Sequence, residues 1–403
     1  MTASFLHGVE VLELDTGIRP IRTVRSAVIG LIGTAPQADA AVYPLNTPVL
    51  VAGNRTMAGQ LGQTGTLPSA MDGIFDQIGA TVVVVRVDEG ADEDATISNI
   101  VGNSTGFTGV HAFMAAESVV GFSPKILIAP GYTHQRAEDT TNPGTYLLNP
   151  VVAELLGLAA NNTSGLGERL RAVVVADGPN VDDQAAINYA ADHGSDRLYV
   201  VDPWLKVLSG TTYVDQPPSA RVAGLIAKID AERGFWESPS NQLISGITGT
   251  ARPVPFGLGD PNSAANLLNE ADVATVIREN GFRLWGNRTT SSDAKFAFLS
   301  VRRTADMVNE SLLRAHLWAV DRCINRTYLQ DVRESVNEYL RSLTARGAIL
   351  GGECWVDPEA NTESTIAAGQ AVFDFDFTPC TPAERVTFRS VLTNGYLEEL
   401  LTD

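Results

Sequence analysis

Short apolar runs that end at turn-forming residues recur through the first half of the chain. They have the length and the β-branched character of buried strands, and they cover residues 26–36, 80–87, 125–130, 171–179 and 197–203. Helical segments lie around 146–160 and 182–193, and a further one covers 219–233. Strands that alternate with helices predict a mostly parallel sheet of βαβ units. The acidic stretch 88–99 is predicted to be a surface loop or linker.

The pattern changes after about residue 270. In 281–285 and in 295–303, large apolar residues occupy every second position, starting from Phe282 and Phe296. This alternation has the period of a strand with two different faces, and residues 286–293 between the two stretches are rich in small polar residues. We therefore expect an antiparallel hairpin here.

Two amphipathic helices are predicted next, each with one apolar stripe. The first stripe consists of Leu313, Leu317, Val320 and Ile324, and the second of Val332, Val336, Tyr339 and Leu343. Gly347 ends the second helix. The other faces of these helices carry five arginines: Arg314, Arg322, Arg326, Arg333 and Arg341. Two interpretations remain open, a solvated charged face and a contact with an acidic protein partner.

Both ends of the chain have strand character. Val9 and Val11 alternate with Glu10 in the extended segment 1–20, and 385–392 alternates in the same way. Residues 370–377, which lie between these two segments, place Phe373, Phe375 and Phe377 on one face of a strand. Residues 395–401, after the second segment, could add a helical turn. Unpaired terminal strands can complete the sheet of a neighbouring subunit and so link a polymer. A sheet that joins both ends within one chain would explain the same pattern.

The charge of the chain limits its partners. Its 403 residues carry a formal net charge of -18, from 47 acidic and 29 basic side chains, with a pI of about 4.7. Nucleic-acid binding requires clustered cations, so this balance argues against it. Residues 278–346 form a locally basic island with 12 basic and 8 acidic residues.

Catalytic and metal-binding patterns are weak. Asp177, Asp202 and His134 lie at the carboxyl ends of predicted strands, where α/β enzymes place their sites, but none has a partner at a recognisable spacing. The two aspartates are best interpreted as turn and helix-cap residues. Nucleotide-binding, zinc-protease and nucleophile-elbow motifs are lacking, and the five histidines are scattered. We therefore predict no enzyme activity, no cofactor and no metal.

Leader, membrane and disulfide signals are also weak. The N-terminus lacks a basic, apolar leader pattern and no apolar run approaches 18 residues, so we expect no membrane insertion and a chain made in a reducing cytoplasm. The three cysteines, at positions 323, 354 and 380, form no CxxC pair. They are interpreted as buried or idle thiols, with an intersubunit disulfide through Cys380 as the alternative.

Several longer runs resemble the contractile tail sheath family, and most closely the sheaths of P2-like bacteriophages and R-type pyocins. They are FLHGVEV at 5–11, GFWESPSN at 234–241, GITGTARPV at 246–254, the 25-residue run 265–289 and WAVDRCINRTYLQDV at 318–332. The resemblance implies a structural protein that forms stacked hexameric discs around an inner tube, in a virion tail assembled in the host cytoplasm. It also implies a baseplate at one end of the sheath and a terminator at the other.

The resemblance implies a division of the chain as well. Residues 1–20 and 384–403 would be arms that add strands to neighbouring subunits, 21–99 a β-rich segment, 100–265 an outer α/β domain and 266–383 an inner α+β domain facing the tube. The arm contacts would then include Val9, Val11, Leu14, Val386, Phe388 and Leu392, and the acceptor sheet Phe373, Phe375 and Phe377. The five arginines of the basic island would face the tube.

Two other classes of function remain as alternatives. One is a non-contractile shell or tube protein that also exchanges strands, and the other is a hydrolase that uses Asp177 or Asp202. The stretch GFRLWGNRTTSSD at 281–293 combines arginine with an aromatic residue, as a phosphate or base site would. Its strand alternation favours a framework role, with Arg283 and Arg288 in ion pairs.

Overall fold

The computed structural model describes residues 21–159, 170–394 and 396. Within them the strands are β1 Val28–Thr34, β2 Pro48–Ala52, β3 Thr81–Val87, β4 Ile126–Ile128, β5 Val173–Asp177, β6 Leu198–Val201, β7 Leu205–Ser209, β8 Thr212–Gln216, β9 Gly249–Thr250, β10 Val273–Arg278, β11 Phe282–Trp285, β12 Ile349–Val356 and β13 Phe373–Pro379. The α-helices are α1 Arg55–Gly59, α2 Thr66–Phe75, α3 Glu93–Val101, α4 Ala116–Val120, α5 Pro150–Ala159, α6 Asp183–Ala191, α7 Ser219–Glu232, α8 Ala264–Glu270, α9 Leu299–Ala315, α10 Arg326–Ala345 and α11 Glu363–Ala367. Short 3₁₀ helices cover Gly109–Ala115, Ala294–Phe296 and Leu317–Ala319.

Eight strands form one large sheet in the order β11-β10-β6-β5-β4-β1-β3-β2. All neighbours from β10 to β3 run parallel, whereas β2 and β11 add antiparallel edges. In register, Leu31 of β1 lies opposite Val84 of β3 and Ile128 of β4. The predicted mostly parallel sheet is confirmed, and five of its strands lie within the predicted runs. Smaller sheets are formed by β8-β7-β9 and by β12-β13.

The large sheet is buried on both faces. Val82 and Val84 of β3 pack in one core with residues of α2 and α7, while Val83 and Val85 pack in a second core with residues of α5 and α6. This explains why the strand sequences are continuous apolar runs. The sheet takes strands from residue 28 to residue 285, so it includes chain from both sides of positions 100 and 266.

A third core lies between α9, α10 and the β12-β13 sheet. Met307 and Val308 of α9 meet Val336 and Leu340 of α10, and Ile349 of β12 closes the cluster. The predicted stripe of the second helix is confirmed, since Val332, Val336, Tyr339 and Leu343 are all buried in α10. We call α9, α10, α11, β12 and β13 the C-terminal module.

The predicted hairpin between 281–285 and 295–303 is wrong in its second strand. β11 forms as expected but pairs with the preceding β10, through a turn in which Asn280 and Gly281 both have positive φ, 48° and 110°. Asn-Gly is the preferred sequence for such tight hairpin turns. Residues 299–315 form α9 instead, because their charged side chains are buried in ion pairs at helical spacing, a pattern that apolar alternation does not reveal.

The apolar stripe predicted for the first helix is also wrong. Helix α9 ends at Ala315, before most of that stripe, and its buried face lies earlier in sequence. Leu313, Leu317 and Val320 are 68%, 76% and 62% exposed. These side chains form an apolar surface rather than a core.

The acidic stretch 88–99 is not a loop throughout. Helix α3 begins at Glu93, and the Asp92 carboxylate accepts a hydrogen bond from the Ala95 amide at 2.8 Å. Acidic residues before and within the first turn stabilise the helix N-terminus, so the composition that indicated a linker also favours a helix start.

The C-terminal stretch 385–392, predicted as a strand, belongs to none of the sheets in the described part of the chain. It is exposed throughout, because it has no neighbour within the subunit to pair with. The N-terminal segment 1–20 lies outside the described residues, and so does most of the helical turn predicted at 395–401.

Candidate assembly interface

The small sheet of the C-terminal module has few strands for its length. β12 and β13 pair antiparallel from Ile349–Pro379 to Val356–Phe373, with one irregularity near Gly351. Phe373, Phe375 and Phe377 lie half-buried against the third core, as their alternation predicted. A two-stranded sheet leaves backbone donors and acceptors unpaired along its outer edges, and such edges accept further strands.

Helix α10 holds β12 in place through one side chain. The Asn337 amide accepts a hydrogen bond from the Cys354 N–H at 2.7 Å and donates one to the Cys354 carbonyl at 3.1 Å. Several apolar side chains of the sheet and its surroundings remain exposed, among them Leu350, Trp355 and Val372. The module therefore presents a supported sheet with apolar groups at its surface, which is what an added strand needs.

The C-terminal segment leaves the subunit from this module. The Cys380 amide still donates to the Ala348 carbonyl at 3.3 Å. Of the predicted arm-contact residues, Val386 is 68% exposed, Phe388 92% and Leu392 103%. Exposed apolar side chains that are grouped in one segment are typical of surfaces that bind another protein. The corresponding N-terminal residues Val9, Val11 and Leu14 lie outside the described residues.

The five arginines predicted to face a partner differ in their surroundings. Arg314 is held by Glu117 and Glu310, with the Nε of Arg314 at 2.8 Å from Glu310. Arg333 pairs with Glu334 at 2.6 Å, and Arg341 with Glu338 at 2.9 Å. Arg322 lies over the Trp318 ring at 5.7 Å.

Arg326 is exposed at the first position of α10, and within 21–159, 170–394 and 396 no carboxylate pairs with it. Arg322 and Arg326 are thus the two cations of the set without an acidic partner in that part of the chain. They follow the exposed Leu313, Leu317 and Val320 in sequence, and we call these five residues the basic-apolar surface. Sequence reasoning identified the arginines but assigned the apolar residues to the interior.

A buried ion-pair network joins α9 to the large sheet. The Asp306 carboxylate accepts from Arg197 at 2.6 and 2.9 Å and from Arg302 at 2.7 Å, and all three side chains are less than 9% exposed. Glu310 pairs with Lys125, and Arg303 pairs with Asp230 at 2.6 Å. Burial lowers the pKa of Lys125, and the Glu310 carboxylate opposes that shift.

Sequence reasoning missed this network. The signal was the spacing of charges in α9, where Arg302, Asp306, Glu310 and Arg314 follow one another at intervals of four and lie on one helix face. The network attaches the C-terminal module to the sheet, so we expect the two to move as one body.

The residues that an enzyme would use are structural. The Asp177 carboxylate accepts hydrogen bonds from the Ser219 amide at the start of α7, from the Gly131 amide and from the Thr133 hydroxyl, at 2.8 to 3.1 Å. Burial raises the pKa of Asp177, and these hydrogen bonds counter the shift. Asp202 accepts from the Asn180 amide and pairs with Arg252, while His134 packs edge-on against Trp204. The Asp177 carboxylate thus binds the first amide of α7, whereas Asp202 lies in a loop contact and an ion pair, so the interpretation of the two aspartates as turn and cap residues stays a prediction.

The cysteines lie in three different environments. Cys354 is buried, and burial raises the pKa of its thiol to about 11, so at neutral pH it stays protonated and poorly reactive. Cys323 is exposed and Cys380 half-buried. The intersubunit disulfide through Cys380 stays a prediction. Among the described residues, no cluster of acidic, histidine or cysteine side chains could hold a metal ion, and no helix is long and apolar enough to cross a membrane.

Three family descriptions match successive parts of the chain. Residues 26–87 match the N-terminal region of domain III of the Gp18 tail sheath protein, residues 105–290 the phage tail sheath central domain and residues 291–393 the phage tail sheath C-terminal domain. The chain is 40% identical over 404 residues to a putative prophage major tail sheath protein of Pseudomonas aeruginosa strain UCBPP-PA14, with 99% of each chain covered. It is 36% identical over 413 residues to the tail sheath protein of Escherichia phage P2, with 99% and 98% covered.

Solved structures share the fold at lower sequence identity. The sheath of an extracellular contractile injection system in its contracted state superposes with a TM-score of 0.69 at 18% identity, covering 98% of this chain and 99% of that one. The contracted helical sheath of the anti-feeding prophage gives the same score and identity over 97% and 100% of the two chains. The chain therefore belongs to the phage tail sheath protein family: it is a structural protein, not an enzyme, and a subunit of the contractile tail sheath of a phage or prophage-derived system.

Proposed function

We propose that this chain polymerises as stacked hexameric rings around an inner tube, and that contraction of the resulting sleeve drives the tube through a target cell envelope. A baseplate at one end and a terminator at the other complete the machine. The observation that carries the proposal is that one chain contains both an exposed C-terminal segment and a two-stranded sheet to which further strands could be added. Two sites on one subunit that complement each other but do not coincide give a contact that propagates.

In this proposal the arms 1–20 and 384–403 add strands to the β12-β13 sheets of neighbouring subunits. The exposed Val386, Phe388 and Leu392 supply apolar side chains, and the main chain supplies hydrogen bonds. Residues 266–383 form the inner domain and 100–265 the outer domain, with 21–99 leading into the latter. The separate third core supports an inner unit from α9 onward, whereas β10 and β11 of the proposed inner domain belong to the large sheet.

Contraction in this proposal is a rigid-body rearrangement. The extended sleeve is kinetically trapped, and once triggered its subunits rotate and slide into better-packed contacts while the arms keep them linked. The buried network around Asp306 supports this because it fixes the C-terminal module to the large sheet. A subunit held together in this way transmits force to the tube without deforming.

The proposed tube contact is the basic-apolar surface. Changing Arg326 to glutamate should leave sleeves intact but lower the amount of tube protein that sediments with them about fivefold, because a favourable charge contact becomes repulsive. Arg233→Glu is the matched control, since Arg233 is also exposed but lies at the end of α7, in the proposed outer domain. Equal tube recovery from the two variants would refute this contact.

The shape of the purified assembly tests the proposed function as a whole. Full-length protein expressed alone should form hollow, helically striated sleeves in negative-stain electron micrographs, because the arms and acceptor sheets lie on the same chain. Globular oligomers of fixed size, over a hundredfold range of protein concentration, would argue against a sheath.

A further inference from the structure

The root of the C-terminal arm is tied to the large sheet by one ion pair. Arg288 donates from Nε to one Glu384 carboxylate oxygen and from its terminal nitrogen to the other, both at 2.7 Å. The two residues are 96 positions apart in sequence. A bidentate arginine–carboxylate pair fixes direction as well as distance, because both groups are planar. The arm residues that follow, from Arg385 to Asn394, are exposed.

The arginine of this pair is itself held firmly. Arg288 follows β11, its guanidinium lies over the Phe298 ring at 5.3 Å, and its backbone bridges to that of Phe298. The carbonyl of the buried Asn287 accepts from the Leu299 amide at 3.0 Å, and the Thr289 amide donates to the Ala297 carbonyl at 2.8 Å. The loop is therefore fastened to the start of α9 on both sides of Arg288.

A second carboxylate, that of Asp272, lies beside the pair, where it attracts Arg288 and repels Glu384. Asp272 lies half-buried beside Arg288, and both carboxylates raise the pKa of the guanidinium, Glu384 more strongly. Burial raises the pKa of Asp272, and Arg288 opposes this shift. Arg288 thus interacts with two carboxylates: that of Asp272, next to β10, and that of Glu384, at the root of the arm.

We propose that Arg288 is a positioning residue that clamps the root of the C-terminal arm at Glu384, so that the arm leaves the subunit from one fixed point toward its neighbour. The role of the arm in this proposal rests on the proposed function, whereas the existence of the clamp does not. Without the pair, the nearest fixed point before the arm would be Cys380, whose amide bonds to Ala348. Four more residues would then be free, about 13 Å of extended chain. A preorganised arm binds its neighbour at a smaller entropic cost than a loose one.

Trypsin digestion of unassembled full-length subunits tests the clamp directly. Arg385 adjoins Glu384 and Arg389 lies five residues beyond Glu384, and both are exposed. Because the protease must draw residues on both sides of its cleavage site into its cleft, cleavage after Arg385 should be about fivefold slower than after Arg389. In Arg288→Gln the two rates should become equal, as measured by mass spectrometry of the released peptides.

The digestion has a control and a second variant. Arg136→Gln breaks another bidentate arginine–carboxylate pair, with Asp192, and should leave the ratio of the two rates unchanged. Glu384→Gln removes the clamp from the arm side and should act like Arg288→Gln, which keeps the test valid if that variant folds poorly. Equal rates in the unaltered protein, or an unchanged ratio in Glu384→Gln, would overturn the clamp.

Assembly tests what the clamp does. Arg288→Gln should raise the protein concentration needed for sleeve formation about three- to fivefold, and the exchange Arg288→Glu with Glu384→Arg should recover part of that loss. Recovery stays partial because the new glutamate would face Asp272. Unchanged sleeve formation in a variant that has lost protease protection would overturn the positioning role. If the unaltered chain forms no sleeves, the proposed function fails while the digestion still decides the clamp.

Discussion

Removal of residues 384–403 is expected to leave a folded subunit that no longer forms sleeves. The buried residues of all three cores precede position 384, so the circular dichroism spectrum and melting temperature should change little. Assembly should be lost because Val386, Phe388 and Leu392, which are exposed on the subunit, are the proposed contacts with a neighbour. Sedimentation and negative-stain microscopy measure the result. Removal of residues 1–20 should act in the same way.

A full-length variant distinguishes the loss of the arm's apolar contacts from the loss of the arm itself. Replacing Phe388 and Leu392 with serine keeps the arm but removes most of its apolar contact, and should also prevent assembly. Leu258→Ser is the control, because Leu258 is 78% exposed, lies in the loop before α8 and has no proposed contact. Normal sleeves from the truncated chain or from the double serine variant would show that the arm does not link subunits.

Substitution of Asp306 by alanine is expected to be the most destabilising single change in the subunit. It would leave the guanidinium groups of Arg197 and Arg302 buried without their shared carboxylate. Removing one partner of a buried pair typically costs about 3–5 kcal/mol of unfolding free energy. Urea unfolding of the unassembled subunit, followed by circular dichroism, measures the loss.

The control for this substitution removes an exposed carboxylate from the same module. Glu338 pairs with Arg341 on the surface of α10, and both side chains are more than half exposed. Glu338→Ala should change the unfolding free energy by less than about 0.5 kcal/mol. If Asp306→Ala is no more destabilising than Glu338→Ala, the network does not fasten the C-terminal module to the large sheet.

Much of the architecture is predictable from local patterns. A strand buried on both faces needs consecutive apolar residues, so the valines of β3 and β5 are sufficient to identify them. Helix α10 is predictable because it buries a purely apolar stripe. Helix α9 cannot be identified from an apolar stripe, because its buried face carries charged side chains: Arg302, Arg303, Asp306 and Glu310. The apolar stripe that the sequence predicts therefore falls further along the chain, on side chains that lie at the surface.

Some residues of the candidate interface can also be predicted from local sequence patterns, whereas others cannot. The alternation of Phe373, Phe375 and Phe377 identifies their strand and its packed face without any knowledge of the fold. The Arg288–Glu384 pair joins residues 96 positions apart, and the Arg197–Asp306 pair residues 109 apart. Neither spacing has a local signature, because only the three-dimensional path of the chain brings the charges together.

An electron cryo-microscopy map of the assembled sleeve, at a resolution that separates strands, tests strand exchange between subunits. The β12-β13 sheet of each subunit should gain strands contributed by the 1–20 and 384–403 segments of neighbouring subunits, with continuous density from Glu384 into the neighbour. A β12-β13 sheet that remains two-stranded, or that is completed by the arms of its own chain, would show that the arms do not link subunits.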